Sequence, residues 1–226
     1  PAAKPVDEGA QAKRQQAREH KVGEGIRELL VWMQDIIRNG ILPVPEKGYA
    51  FWEGMAKRMI DAQAPGLSGL IRNLGEINFF KEDWQSRFLE NFCSIYLIAK
   101  AYQHKEALDP LVLQDVRHAI GFTLHQEALK EKPGVKDTWM ILSKQTTAED
   151  QLTIERHWLY GTGTGQYALF LQFLVRGQGA AILLSPGMCI DAELVFYPSA
   201  APLRALVKNQ KAAAPRPVPL LESWQA

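Results

Sequence analysis

The chain has 226 residues, 46% of them hydrophobic and 23% charged, with a formal net charge of +1. That length supports a proper core, as one large domain or two small ones, and the near-neutral balance supplies no global field for nucleic acid or an anionic membrane. No apolar run approaches the roughly 20 residues a membrane helix needs, and the polar start PAAKPVDEGAQAKRQQ lacks the apolar core of a secretory signal, which leaves the cytoplasm as the default location.

Residues 1–21 are charged and read as a polar leader, a frayed helix or tail. Ile26, Leu29, Leu30, Met33, Ile36 and Ile37 then recur at i, i+3, i+4, i+7, i+10 and i+11, which is one apolar helix face, and Asn39-Gly40 supplies the stop. Pro43 and Pro45 force an extended connector. A second helix carries Trp52, Met55, Ala56, Met59 and Ile60, and Pro65 starts a third that presents Leu67, Leu70, Ile71 and Leu74. A long helix over about 82–104 holds apolar residues on several faces and reads as the central one. Asp109-Pro110 caps a fifth helix ending near Gly121, and a short amphipathic piece over 124–130 closes the helical half.

After Lys132-Pro133-Gly134 the apolar period drops to 2. Four alternating stretches follow, around 139–144, 152–160, 167–175 and 190–196, with turns at 147–150, 161–165 and 177–179. Short connections predict an antiparallel four-stranded meander, and Ala201 to Lys208 reads as a covering C-terminal helix. The expected organisation is therefore α+β: a leader over 1–21, a bundle of about five helices over 22–132, a meander plus helix over 133–208, and a Pro/Ala-rich linker or tail over 209–226. That tail and the missing initiator Met suggest a piece of a longer protein.

No motif in the chain announces a chemistry. Zinc sites need paired short spacings, yet His118 and His125 are seven apart and neither Cys93 nor Cys189 has a Cys or His within four residues. Both cysteines read as small buried hydrophobes. No G-x-S-x-G elbow is present, and Cys93 falls mid-helix among aromatics, a setting for core and not for a thiolate. Gly161-Thr162-Gly163-Thr164-Gly165 resembles a phosphate cradle, but it lies between two strands with no Gly-Lys-Ser/Thr after it, so a glycine-rich hairpin turn is the better reading. Asp191 and Glu193 share one strand face and call for basic partners or solvent. No cofactor or metal site is expected in this segment, and no enzyme activity.

Several dispersed motifs do occur in a recognisable order. Gly25-Ile26, Leu29 and Trp32-Met33-Gln34-Asp35 precede Lys57-Arg58-Met59-Ile60-Asp61-Ala62-Gln63-Ala64-Pro65-Gly66-Leu67. Asp137-Thr138-Trp139, Arg156-His157-Trp158-Leu159-Tyr160-Gly161 and the block from Asp191 to Val207 follow. Over most of 22–208 the chain resembles bacterial SWIM zinc-finger family proteins, in the region downstream of the finger. The finger, C-x-C-x(n)-C-x-H, has no counterpart here, so no zinc ligand carries over. The resemblance implies partnership with a MoxR-type AAA+ ATPase and a von Willebrand A-domain protein, and protein or nucleic-acid binding through the absent finger.

Two functional readings follow. The first is a non-catalytic protein-interaction or scaffold region, marked by an exposed apolar patch or an open strand edge. The second is an accessory nucleic-acid-binding region, which requires Lys57, Arg58, Arg72, Lys81 and Arg87 to cluster on one face and affinity to fall steeply with salt. The candidate interaction and structural residues are Trp32, which lies off the apolar face of its helix, Arg58, Asp61, Arg72 and Trp158. Asp61 is expected to be buried at the helix junction and paired with Arg58 or Arg72.

Overall fold

The computed structural model describes residues 8–124, 126–149, 152–175, 182–210 and 216–217. The start of the expected leader, the turn expected at 177–179 and most of the expected tail lie outside them. The chain forms two compact units, Pro1–Thr123 and Leu124–Ala226.

The first unit is helical. Helix α1 (Glu8–Arg38) buries Val22, Ile26, Leu29, Leu30, Met33 and Ile36, the face its periodicity marks out. It ends where the Asn39 side-chain amide donates to the Asp35 carbonyl at 2.8 Å and Gly40 turns to φ 77°. Helices α2 (Tyr49–Asp61), α3 (Pro65–Gly75), α4 (Trp84–Gln103) and α5 (Pro110–Ile120) follow. Asp109 caps α5 by accepting from the Leu111 amide at 2.8 Å. The core is strongly aromatic: Trp52 lies edge-on to Trp32, Phe51 and Phe88, with centroids 5.7, 5.1 and 6.2 Å away.

The Pro65-Gly66 break has a packing reason. A Cβ on Gly66 would lie 2.1 Å from the Ala119 carbonyl oxygen, and a Cβ on Gly121, where φ is 111°, would lie 2.8 Å from the Gly66 nitrogen. The start of α3 and the end of α5 thus touch backbone to backbone, and each needs a residue without a side chain.

The second unit is a sheet with a short helix, α6 (Gln126–Lys130), before it. Its strands are β1 (Val135–Glu149), β2 (Leu152–Gly161), β3 (Tyr167–Val175), β4 (Met188–Phe196), β5 (Arg204–Gln210) and the two-residue β6 (Arg216–Pro217). This corrects the expected four-stranded meander with a C-terminal helix. The stretch read as a helix over 201–208 contains the start of β5, and among the described residues no helix follows the sheet. Ala205 and Val207 pack with the interior cluster while Leu206 packs with another, which is the alternation of a strand and not a helix stripe. The sheet is mixed, because β5 runs parallel to β3 at Leu169↔Arg204 and Phe170↔Ala205 and antiparallel to β4.

Strand β1 is long enough to pair twice. Its first part pairs with β4 (Val135↔Leu194 to Met140↔Cys189), and its remainder pairs with β2 out to Glu149↔Leu152. The irregularity between Ile141 and Ser143 leaves Leu142 unpaired and bends the strand. The circuit β1-β2-β3-β5-β4-β1 closes a five-stranded Greek-key barrel with the strand order of an OB fold. Trp139, Ile141, Leu159, Ala168, Ile190, Ala192 and Leu194 fill the interior, and the Trp139 indole donates to the Ala192 carbonyl at 3.2 Å.

The backbone contact between α3 and α5 sets a stability expectation. Gly66→Ala should cost about 2 kcal/mol or more, by forced displacement of the Ala119 carbonyl. Gly69→Ala, where no atom lies within 4 Å of the added methyl, should be neutral or stabilising by up to about 1 kcal/mol. Denaturant unfolding of the two variants checks this, and equal midpoints would refute it.

Candidate functional site

The five candidate residues do not form one site. Trp32 is half-buried in the aromatic core, 5.2 Å from the Phe51 ring, and its position off the helix's main face is explained by that contact. Arg58 pairs with Glu28 of α1, and Arg72 grips Glu53 through two bonds of 2.8 and 2.9 Å. Asp61 is exposed at the end of α2 and makes neither expected pair. Only Arg58 and Asp61 share a feature, a shallow groove bordered by His20, Glu24 and Glu28. Trp158 stands in β2, partly exposed.

The strongest polar cluster of the helical unit involves residues that periodicity does not mark. Glu19 accepts from Lys105 Nζ at 2.6 Å and Arg117 Nη1 at 2.7 Å, tying α1 to the turn after α4 and to α5. Beside it Arg18 donates to the carbonyls of Gly121 at 3.0 Å and Gln63 at 3.2 Å. The guanidiniums of Arg18 and Arg117 lie 4.3 and 4.4 Å from the Phe122 ring centroid. Burial pushes the Glu19 carboxyl up, but the hydrogen bonds and charges of Lys105 and Arg117 outweigh it and hold the group below its ordinary 4.5. This is a structural clasp whose ion pairs close within the fold, with Arg18 Nε left buried and unpartnered.

The barrel holds a second cluster inside its wall. Lys144 Nζ meets Glu155 at 2.5 Å, and His157 Nε2 lies 3.2 Å from the same carboxylate and 3.4 Å from the Gln172 amide nitrogen. Gln172 also brackets the backbone of Ile182, donating to its carbonyl at 2.8 Å and accepting from its amide at 3.2 Å. His157 is fully buried, with Nδ1 unpartnered. Burial pulls its pKa below 6.5 against the opposing pull of Glu155. Glu155 and His157 stand two apart in β2, in phase with core Leu159. That phase is the sequence signal for inward ionisable groups.

The glycine-rich stretch 161–165 is a hairpin connection already filled by a carboxylate. Asp137 accepts from the Gly163 amide at 3.0 Å, the Thr164 amide at 2.8 Å and the Thr164 hydroxyl at 2.7 Å. Burial raises the Asp137 carboxyl and these donors lower it further, so it stays below 3.8. Amides occupied in this way have nothing left for a phosphate.

Among the described residues no three His, Cys, Asp or Glu side chains converge to hold a metal, and no helix is long and apolar enough to cross a membrane. Cys93 is exposed on α4 and Cys189 is buried in β4. Of the basic residues set out for phosphate contact, Arg58, Arg72 and Arg87 each meet a carboxylate, with Arg87 bound to Asp83 at 2.6 Å. Large apolar side chains remain outside instead. On α4, Leu89, Cys93, Tyr96 and Leu97 fall at i, i+4, i+7 and i+8, and Leu97 is 65% exposed.

Residues 17–120 match the family model of the SWIM-associated four-helix bundle domain. The helical unit carries that domain. The match runs from α1 to the end of α5 and so agrees with a region downstream of a SWIM finger; it does not extend to the barrel. No curated protein and no solved structure matches the chain.

Two expectations follow from these clusters. Glu19→Gln should cost about 2 kcal/mol, because Lys105 and Arg117 lose their shared counter-charge in a partly buried site; an unchanged unfolding midpoint would refute the clasp. Acid should weaken the two units at different points. His157 has a folded pKa below its unfolded 6.5, so its contribution is complete above that value and is lost as pH falls through it. Glu19 has a depressed pKa, so its contribution fades only below 4.5. Hydrogen-exchange protection over 135–175 should therefore begin to fall at a higher pH than protection over 22–120. Loss in step, confined to the carboxylate range, would refute the role of His157.

Proposed function

We propose that this chain is a non-catalytic protein-interaction or scaffold region of a SWIM zinc-finger family protein, working with a MoxR-type AAA+ ATPase and a von Willebrand A-domain protein. The observation that carries the reading is the contrast on the SWIM-associated bundle. Arg58, Arg72 and Arg87 each meet a carboxylate, while α4 leaves the Leu89, Cys93, Tyr96 and Leu97 stripe uncovered among the described residues. An apolar stripe at helical spacing is the anchor pattern of helix-mediated docking.

The test is direct binding of the purified chain to the purified ATPase and to the A-domain protein by calorimetry. Leu97→Asp should weaken that binding by about ten-fold or more, as loss of an interface anchor does. The same change should leave folding stability within about 0.5 kcal/mol, because Leu97 is exposed. Absence of binding by both proteins would end this assignment.

A further inference from the structure

Strands β3 and β5 pair only at Leu169↔Arg204 and Phe170↔Ala205. Past that point each stays paired on its other side alone: β3 with β2 as far as Leu152↔Val175, and β5 with β4 as far as Ala192↔Gln210. A cavity of about 390 Å³ opens where the two strands part.

The hydrogen-bonding direction of each wall follows from its neighbouring contacts. The Leu169 amide donates to the Leu203 carbonyl at 2.7 Å, so the alternate residues Leu171, Phe173 and Val175 turn their backbone groups toward β5. The Tyr197 amide donates to the Arg204 carbonyl at 2.9 Å, so Arg204 faces β4 while Ala205 and Val207 face β3. Beyond the last pair, the backbone groups of Phe173 and Val207 meet the cavity with no ladder partner among the described residues. Phe173 is 48% exposed, so this edge is reachable from solvent.

We propose that this gap takes up an extended, acidic segment of a partner protein as an added strand along β3, a contact separate from the α4 stripe. Three observations select that occupant. The bared edge alternates N–H donors with C=O acceptors, which an extended peptide answers group for group; a phosphodiester backbone carries acceptors and no donor. Among the described lining residues Lys130 and Arg204 carry charge and none is acidic. Lys130 holds Glu127 at 3.1 Å, but Glu127 is 86% exposed, and an exposed pair of this kind is readily exchanged for an incoming carboxylate. The third observation is the side on which each group lies. Arg204 precedes inward Ala205, and Lys130 follows Leu129, which covers outward Leu206, so both cations sit on the outer rim. Gln172, clamped to the Ile182 backbone, lies on the inner side with Leu174. A strand alternates its side chains between two faces, so the segment that fits carries acidic residues outward and apolar residues inward. A second copy of this chain fits less well, because a symmetric β3–β3 contact would set the rim cations of both copies against each other.

The experiment is fluorescence anisotropy of a labelled peptide of alternating Glu and Val, and of its Lys and Val counterpart, titrated with the full chain up to about 1 mM, the weak end of specific recognition. The acidic peptide should bind and the basic one should not. Phe173→Pro removes the cavity-facing amide hydrogen without touching the ladder to β2, a placement that edge strands tolerate. It should bind about five-fold more weakly than Phe173→Ala, which keeps that amide. Lys130→Glu, on an exposed helix position, should weaken binding by about three-fold or more and decides the matter if circular dichroism shows the proline variant unfolded. No binding of the acidic peptide, equal binding of the basic one, or indifference to Lys130→Glu overturns the proposal, as does equal affinity of two folded Phe173 variants. Displacement of the peptide by an equal concentration of oligo-dT, or a dimer in sedimentation that Phe173→Pro abolishes, also overturns it in favour of a different occupant. The probe contains no part of the ATPase, so each of those results leaves the reading of α4 standing, and loss of ATPase binding leaves this one.

Discussion

The helical unit is organised around the contact between Pro65-Gly66 and the segment from Ala119 to Gly121. Two backbones meet there with no room for a methyl group, at an oxygen that an added Cβ would approach to 2.1 Å. Other features converge on the same point. Gly121 ends α5 in a left-handed conformation, and its carbonyl receives the Arg18 guanidinium. Arg18 also reaches Gln63, in the turn between α2 and α3, and its neighbour Glu19 holds Lys105 and Arg117. The early part of α1 is thus fastened across the junction of the other helices by charge-assisted bonds, which are roughly twice as strong as neutral ones.

In the barrel the corresponding constraint is the length of β1. A strand of 15 residues, bent at Leu142, reaches β4 at one end and β2 at the other, and that double pairing converts an open sheet into a closed one. Closure removes most exposed edges. It also gives the sheet an inside, where Trp139 fills the apolar end while Glu155, His157 and Gln172 satisfy most of one another's polar atoms. His157 Nδ1 is the exception, a buried acceptor or donor without a partner.

The polar residues that suggest chemistry are largely used up by the fold. Asp137 occupies the glycine-rich hairpin, Glu53 occupies Arg72 and Glu28 occupies Arg58. Among large apolar side chains, Leu89, Tyr96 and Leu97 stay exposed along α4, a surface that suits recognition better than catalysis.

Local pattern by itself determined the helices, because a 3.6-residue apolar period, Asp109 as a cap and proline at a first turn each act within a few residues of chain. It also marked β2 to β4 and the glycine-rich turn between β2 and β3, but it gave β1 only as 139–144 with a turn at 147–150, where the strand in fact continues in pairing to Glu149. It misjudged β5: Pro202 at the start and the short apolar run Ala205-Leu206-Val207 suit a helix turn and a strand equally, and only pairing with β3 and β4 decides between them. It also gave Asp61 a burial and a partner it does not have, since an arginine's choice among carboxylates depends on which helix packs alongside. Glu28 and Glu53 reach Arg58 and Arg72 across helix–helix contacts separated by 30 and 19 residues of chain. The closure of the barrel and the clasp at Glu19 are likewise tertiary, because each is set by strands or helices meeting at long range, where no local period carries a signal.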